Sequence, residues 1–317
     1  VADRMKNINL TELIKPITTE DFFKSYWPHS HLFIPAAKGK LKAIFDIQQL
    51  HDIENLVETR SLKVRACLPD YDDEYSSIHL DPQDALKAYR NSMTLVFDSM
   101  QTQNSVISQS LDQIRRDLGL VTGGENDLCK ARSIAYATPS GGGTRLHFDA
   151  NANFIIQISG SKQWILAPNT SVQNPTERFT TGSLEMSAAL EKQCHDVLLD
   201  EPPEDAIEIN MEPGCVLFVP RGYWHATTTF EDSLSLNFTF SQPTWADVFT
   251  KSLQEFLLTS SDWRELADGL SSSDKNRKAQ ALSRFEVLVK KLSTELPALS
   301  GTKLLTESGL LEKSDNE

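Results

Sequence analysis

The sequence contains few of the features that mark disulfide-rich, zinc-binding, secreted or membrane proteins. Its 317 residues include four cysteines, Cys67, Cys129, Cys194 and Cys215, and no two of them form a C-x-x-C pair. Neither a disulfide framework nor a zinc site is therefore expected. No apolar run reaches 18 residues, and the first residues include charged side chains where a signal peptide would be apolar. We expect a cytoplasmic protein with no membrane segment.

The sequence also lacks a basic block. Lys and Arg together number 31 against 44 Asp and Glu, which makes the formal net charge −13. Because phosphate binding depends on clustered Lys and Arg, we expect no direct nucleic-acid binding. An acidic surface suits a basic protein partner, such as a ribosomal or histone-like protein, but solubility alone also explains this charge.

Against this background, a short H-x-D motif is informative. His147 and Asp149 open an apolar stretch that reads as a strand, where residues i and i+2 point to the same face and can bind one ion together. His225 follows in a distant segment, after the apolar run 216–219 and a turn at 220–222 that is expected to aim it. Two imidazoles and one carboxylate on one face of a metal ion are the ligand set of non-haem Fe(II) oxygenases. An isolated H-x-D motif also arises by chance, so this hypothesis needs support from the neighbouring residues.

Three polar residues near the motif provide that support. Lys162 stands at the head of an apolar strand after a Gly-Ser turn, Thr144 precedes His147 by three positions, and Asn153 follows it by six. A small dicarboxylate that chelates iron through a keto-acid end needs a cation and a hydroxyl for its far carboxylate, which Lys162 and Thr144 offer. Taken alone, Lys162 could equally be a solvated hairpin lysine.

Together these residues make the sequence similar to the JmjC-type, cupin-like, 2-oxoglutarate- and Fe(II)-dependent oxygenases. It most resembles the ribosomal oxygenases and the asparaginyl hydroxylase of the hypoxia-inducible factor, from about Phe22 to Phe240. The resemblance implies an enzyme that uses Fe(II) as cofactor and 2-oxoglutarate as cosubstrate and releases succinate and carbon dioxide. It assigns iron to His147, Asp149 and His225, the far carboxylate of 2-oxoglutarate to Lys162 and Thr144, the keto-acid end to Asn153 and Asn237, and the pocket wall to Tyr136.

The patterns and the resemblance predict a mainly β protein with flanking helices. A double-stranded β-helix (jelly-roll or cupin) barrel over residues 129–242 is expected to follow a mixed α/β region over 1–128 and to precede a C-terminal helical region over 243–317. The predicted barrel strands are 133–139, 144–149, 154–158, 163–166, 207–209, 216–219 and 234–240.

Two segments outside the barrel strands have open interpretations. The polar insert 169–205 is long for a compact domain, and it forms either a lid over the substrate or a surface loop. Beyond residue 243, apolar residues recur at helical spacing on two helices, which either close one end of the barrel or pack between subunits of a homodimer. In the resembled hydroxylases a C-terminal helical region makes the dimer.

The substrate is the least constrained property. The first hypothesis is hydroxylation of a side chain of a basic or ribosomal protein, the second is hydroxylation of a small molecule by the same chemistry, and demethylation of methyl-lysine is a further possibility. A third class, a non-catalytic cupin-like binding protein, is disfavoured by the intact ligand set. The resembled ribosomal oxygenases also tend to carry a winged-helix module. The residues after 243 are too few for both that module and a dimer unit, and this departure counts against ribosomal specificity.

Overall fold

The computed structural model describes residues 7–68, 76–120, 128–183 and 185–311. The chain divides into two compact units, one comprising residues 1–120 and 130–241 and the other comprising residues 121–129 and 242–317. All of the strands described below belong to the first unit. The predicted division into three domains at residues 128 and 242 stays a prediction.

The strands of the first unit form two antiparallel sheets. The larger sheet has the order β1-β11-β7-β13-β5-β4-β2-β3, and the smaller one has the order β10-β8-β12-β6-β9. The strands are β1 (Leu32–Ile34), β2 (Val64–Cys67), β3 (Ser77–Leu80), β4 (Thr94–Phe97), β5 (Lys130–Thr138), β6 (Gly143–Phe148), β7 (Ala152–Ser159), β8 (Lys162–Ala167), β9 (Phe179–Thr180), β10 (Ile207–Met211), β11 (Val216–Val219), β12 (Trp224–Thr228) and β13 (Ser233–Ser241).

Along the chain, successive barrel strands lie in different sheets. The larger sheet contains β5, β7, β11 and β13, and the smaller sheet contains β6, β8, β10 and β12. This winding is that of a double-stranded β-helix, as predicted. The strand pairs β1–β11 and β4–β5 attach N-terminal strands to both sides of the larger sheet, with Leu32 opposite Phe218 and Leu95 opposite Ala137. The N-terminal region and the barrel therefore share one sheet.

The alternation of side chains along each strand separates the barrel interior from two covered outer faces. On β7, Ile155 packs inside with Trp164 and Leu217, whereas Phe154 points to the outer face of the larger sheet, where its ring centroid lies 4.8 Å from that of Phe218. The N-terminal helices cover this outer face. They are α1 (Leu10–Ile14), α2 (Thr19–Ser25), α3 (Lys42–Phe45), α4 (Ile53–Glu58), α5 (Pro82–Arg90) and α6 (Ser105–Asp117).

The insert between β8 and β10 covers the outer face of the smaller sheet. It contains β9 and the short helix α7 (Ala188–Glu191). Its buried residues Val172 and Leu190 pack with Phe148 and Trp224, which are both fully buried. Because Phe148 turns outward into this cluster, its neighbours His147 and Asp149 turn toward the barrel interior.

The second unit is helical, as the periodicity of residues beyond 243 predicts. It contains α8 (Trp245–Leu258), α9 (Lys275–Glu295) and α10 (Gly301–Glu307). A capping box formed by Thr244 and Asp247 begins α8. None of the helices in the described part of the chain combines the length and the apolar character needed to span a bilayer.

Candidate metal centre and cosubstrate cavity

The structure brings His147 and His225 together on two neighbouring strands of the smaller sheet. His147 on β6 stands directly opposite His225 on β12, and the ring centroids are 4.0 Å apart. Both side chains are buried. From the sequence, the turn at 220–222 is expected to orient His225. In the structure, His225 lies within a strand that pairs with both β6 and β8, and this pairing fixes its position.

Asp149 completes the group just after the end of β6. Its Oδ2 atom lies 3.7 Å from Nε2 of His225, and one ligand atom from each of the three residues lies within 4.8 Å of the others. The backbone N–H of Gly222 donates to the carbonyl of Asp149 over 2.9 Å. Gly222 has φ +86°, and an added Cβ would lie 2.7 Å from Cδ of Pro175, so the turn beside Asp149 requires glycine.

The hydrogen bonds of the two imidazoles fix which ring nitrogen can bind a metal. Nδ1 of His147 lies 2.7 Å from the carbonyl of Arg145, and Nδ1 of His225 lies 2.9 Å from the carbonyl of Tyr223. Because a carbonyl only accepts, each Nδ1 carries the proton and each Nε2 keeps its lone pair. Burial, together with the positive charge of Arg178 and the neighbouring His225, holds the pKa of His147 well below its usual value. The donor set therefore fits Fe(II).

Arg178 is a residue of this site that the sequence interpretation missed. Its Nη1 donates to Oδ1 of Asp149 over 3.2 Å, and its Nε donates to Oγ1 of Thr180 over 3.3 Å. Thr180 lies on β9, opposite His147. An arginine in a polar insert carries no spacing signal, so only the pairing of β9 with β6 reveals its place.

Lys162 lies inside the barrel, and the interpretation of Lys162 as a solvated hairpin lysine is wrong. The residue is 6% exposed, and its Nζ donates to Oγ1 of Thr138 over 3.2 Å. Burial lowers the pKa of Lys162 to about 8. Thr144 lies opposite Thr227, with 2.9 Å between the two hydroxyl oxygens. Thr138 and Thr227 are thus additional hydroxyl groups near the predicted cosubstrate residues.

The predicted asparagines and tyrosine come from the larger sheet. Asn153 on β7 donates to Oδ2 of Asp149 over 3.4 Å, and its own Oδ1 accepts from Thr239 over 2.8 Å. Asn237 on β13 and Tyr136 on β5 lie on adjacent strands. The Oδ1 atom of Asn237 is buried and has no hydrogen-bond partner among the described residues.

All eight predicted site residues line one cavity between the two sheets, although their individual roles stay predictions. The empty volume of this cavity, including the part open to solvent, is about 580 Å³. Its lining consists of Tyr136, Thr144, His147, Asp149, Asn153, Ile155, Lys162, Trp164, Arg178, Val219, His225, Thr227, Ser235 and Asn237.

Comparison with known proteins agrees with this architecture. A sequence-family model described as "JmjC domain" matches residues 115–248. The uncharacterized protein YxbC of Bacillus subtilis is 28% identical over 299 residues, which cover 92% of this chain and 88% of that protein. The bifunctional lysine-specific demethylase and histidyl-hydroxylase NO66 of Dictyostelium discoideum is 23% identical over 82% of this chain, and the match spans only 48% of that longer protein.

Among solved structures, YcfD, described as a ribosomal oxygenase from Escherichia coli in complex with cobalt and 2-oxoglutarate, has the same fold. The TM-score is 0.50 at 15% sequence identity, over 86% of this chain and 67% of that one. The predicted fold class, a double-stranded β-helix with flanking and C-terminal helices, is therefore confirmed. The resemblance drawn from the sequence is confirmed as well, because the model described as "JmjC domain" matches residues 115–248 of this chain.

Proposed function

We propose that this protein is a 2-oxoglutarate- and Fe(II)-dependent dioxygenase that hydroxylates a side chain of a protein substrate. One observation carries the proposal: the imidazoles of two buried histidines and a carboxylate converge at a cavity that also holds a buried lysine. When bound, Fe(II) would couple the decarboxylation of 2-oxoglutarate to succinate and carbon dioxide with hydroxylation of the substrate.

The residues of the chain have distinct roles in this proposal. His147, Asp149 and His225 hold the metal and leave its opposite face open. Lys162 binds the far carboxylate of 2-oxoglutarate by a charge-assisted contact, which is stronger in a buried cavity than at a surface. Asn153 orients the carboxylate of Asp149 through its hydrogen bond.

Thr144 adds a hydroxyl for the same far carboxylate, and Tyr136 and Asn237 line the cavity wall. The ring of Trp164 stacks on that of His225 at 5.8 Å. This contact shields one side of the metal site from water.

A protein substrate is favoured over a small molecule by the relatives. NO66 is named as a histidyl-hydroxylase and YcfD as a ribosomal oxygenase, and a basic ribosomal protein also suits a chain of net charge −13. The test is incubation of the purified protein with Fe(II), 2-oxoglutarate and a cell extract, followed by mass spectrometry of proteins and metabolites. Oxygen gained by a protein supports the proposal. Oxygen gained only by metabolites would establish the small-molecule alternative, and no succinate formation at all would exclude the activity.

We further propose that the protein forms a homodimer through the second unit. An exposed apolar stripe runs along α9 and consists of Leu282, Phe285 and Val289, which recur at helical spacing and are 49%, 53% and 42% exposed. Exposure of this apolar surface to water is unfavourable, and a second copy of the chain would cover it. Phe285→Asp is expected to produce a monomer in light scattering, whereas Lys278→Asp, another exposed position on α9, leaves the mass unchanged. A monomeric wild-type protein would refute this proposal.

We propose a cytoplasmic location because the cysteines are not paired in disulfides. All four lie in the described residues, and none is in a disulfide, which suits a reducing compartment. Cell fractionation tests this location directly.

A further inference from the structure

The two carboxylate oxygens of Asp149 have different surroundings. Oδ2 lies beside Nε2 of His225, at 3.7 Å, and is approached by the amide of Asn153. Oδ1 accepts the hydrogen bond from the guanidinium of Arg178. One oxygen is therefore next to the other ligand atoms, while the second oxygen is engaged by a cation.

A second hydrogen bond fixes the position of Arg178 relative to the metal ligands. Its Nε donates to Thr180, and Thr180 stands opposite His147 where β9 pairs with β6. The two hydrogen bonds of the guanidinium thus connect the insert to Asp149 and to the strand pair that carries His147. A planar guanidinium bound at two points has little freedom to rotate.

The Arg178–Asp149 pair is more enclosed than the surface ion pairs of the same unit. The side chains of Arg178 and Asp149 are 26% and 17% exposed, whereas those of the surface pair Arg116 and Asp112 are 54% and 45% exposed. Surface pairs contribute little because water screens them. The enclosed pair is screened less, so its orienting effect on the carboxylate is stronger.

We propose that Arg178 is a positioning residue that keeps Asp149 a one-oxygen ligand, and that the insert supplies it as part of the metal centre. By engaging Oδ1, the guanidinium directs Oδ2 to the metal and prevents the carboxylate from turning both oxygens toward it. The face opposite the three ligands then stays open for the cosubstrate. This inference rests on the proposed function, and it gives the insert a role other than that of a lid or a surface loop.

The test measures Co(II) binding to the metal-free protein by visible absorption, without reliance on turnover. Because loss of a group that orients a metal ligand typically costs 10- to 100-fold in metal affinity, Arg178→Met is expected to weaken Co(II) binding by about that factor. Arg178→Lys, which keeps the charge without the planar fork, is expected to recover part of this loss. Arg116→Met removes a surface arginine–aspartate pair and serves as the matched control with wild-type affinity.

A second measurement separates positioning from general loosening of the insert. Ser187 begins α7 in the insert, where its hydroxyl accepts from the N–H of Leu190 and donates to Glu177, and it contacts none of the metal ligands. Ser187→Ala is expected to keep the wild-type Co(II) affinity. At saturating metal, Arg178→Met should also raise the KM for 2-oxoglutarate, because a carboxylate that turns both oxygens to the metal occupies a position that the cosubstrate needs, whereas Ser187→Ala should keep the wild-type KM.

Equal Co(II) affinity in wild type and Arg178→Met would overturn the inference, as would an equal loss in Ser187→Ala. If Arg178→Met does not fold, as judged by thermal melting, Arg178→Gln replaces it with the same expectation. Failure of the proposed function is a separate outcome, because in that case the wild-type protein itself would not bind Co(II) and would not consume 2-oxoglutarate.

Discussion

Raising the pH from 7 to 9 should weaken the binding of 2-oxoglutarate, because Lys162 loses its proton in this interval. The side chain is 6% exposed, and burial lowers its pKa from the usual 10.5 to about 8. Only the protonated ammonium can pair with the far carboxylate. Binding is therefore strongest below pH 8 and is lost as the pH rises through the pKa of the free protein.

The size of the effect follows from the fraction of Lys162 that is protonated. With a pKa of about 8, about nine-tenths of the lysine is charged at pH 7 and about one-tenth at pH 9. The apparent Kd of 2-oxoglutarate should thus rise about tenfold, which corresponds to about 1.4 kcal/mol. The pKa of His147 lies well below this range, so its protonation does not change over the same interval.

Calorimetry of 2-oxoglutarate binding to the Co(II)-loaded protein between pH 7 and 9 measures this dependence. Lys162→Met should bind about 10- to 100-fold more weakly at pH 7, since a hydrogen bond to a charged group contributes about 1.5–3 kcal/mol, and its affinity should not vary with pH. Lys40 is the matched control, because burial also lowers its pKa to about 8 although it does not line the cavity. Lys40→Met should keep the wild-type pH dependence. A wild-type Kd that is constant from pH 7 to 9 would refute the reasoning.

Three further predictions concern stability and metal binding. Without cosubstrate, the buried ammonium of Lys162 destabilises the fold below pH 8, and this cost disappears as the pH rises toward the usual lysine pKa of 10.5. Lys162→Met should therefore raise the free energy of unfolding in urea by roughly 1–3 kcal/mol at pH 7. A lower free energy of unfolding in this variant would contradict the prediction. His147→Ala and Asp149→Ala should abolish succinate production, and normal production by either variant would remove that residue from the metal site. Phe218 is 1% exposed, and its ring centroid lies 5.3 Å from that of Phe22, so Phe218→Ala should cost about 3–5 kcal/mol in urea unfolding; a cost below about 1 kcal/mol would show that this core does not support the larger sheet.

Apolar strands could be predicted because their pattern is local. The predicted strand 216–219 coincides with β11, and the predicted strands 163–166 and 234–240 lie within β8 and β13. In contrast, β12 (Trp224–Thr228) was not among the predicted strands, since only its first residue is large and apolar. It forms because β6 and β8 bond to it from both sides, and long-range pairing of this kind leaves little local trace.

The candidate site shows the same division. The H-x-D spacing identified His147 and Asp149 because the two-residue period of a strand is a local property. The burial of Lys162 was not decided by its sequence context, which is equally compatible with a solvated hairpin. Arg178 and Thr227 could not be found at all, because each reaches the cavity through the pairing of strands that are distant in the chain.

The sequence by itself thus determined the chemical inventory of the protein: two histidines, a carboxylate and a lysine at spacings that suit a β-rich oxygenase barrel, followed by amphipathic helices. Tertiary structure alone decided that the imidazoles of His147 and His225 face each other, that Lys162 is enclosed and its pKa lowered, and that an insert brings Arg178 to Asp149. The physical reason is that side-chain direction along one strand is set by neighbouring residues, whereas distances between strands, burial and electrostatic environment arise only when the two sheets close on each other.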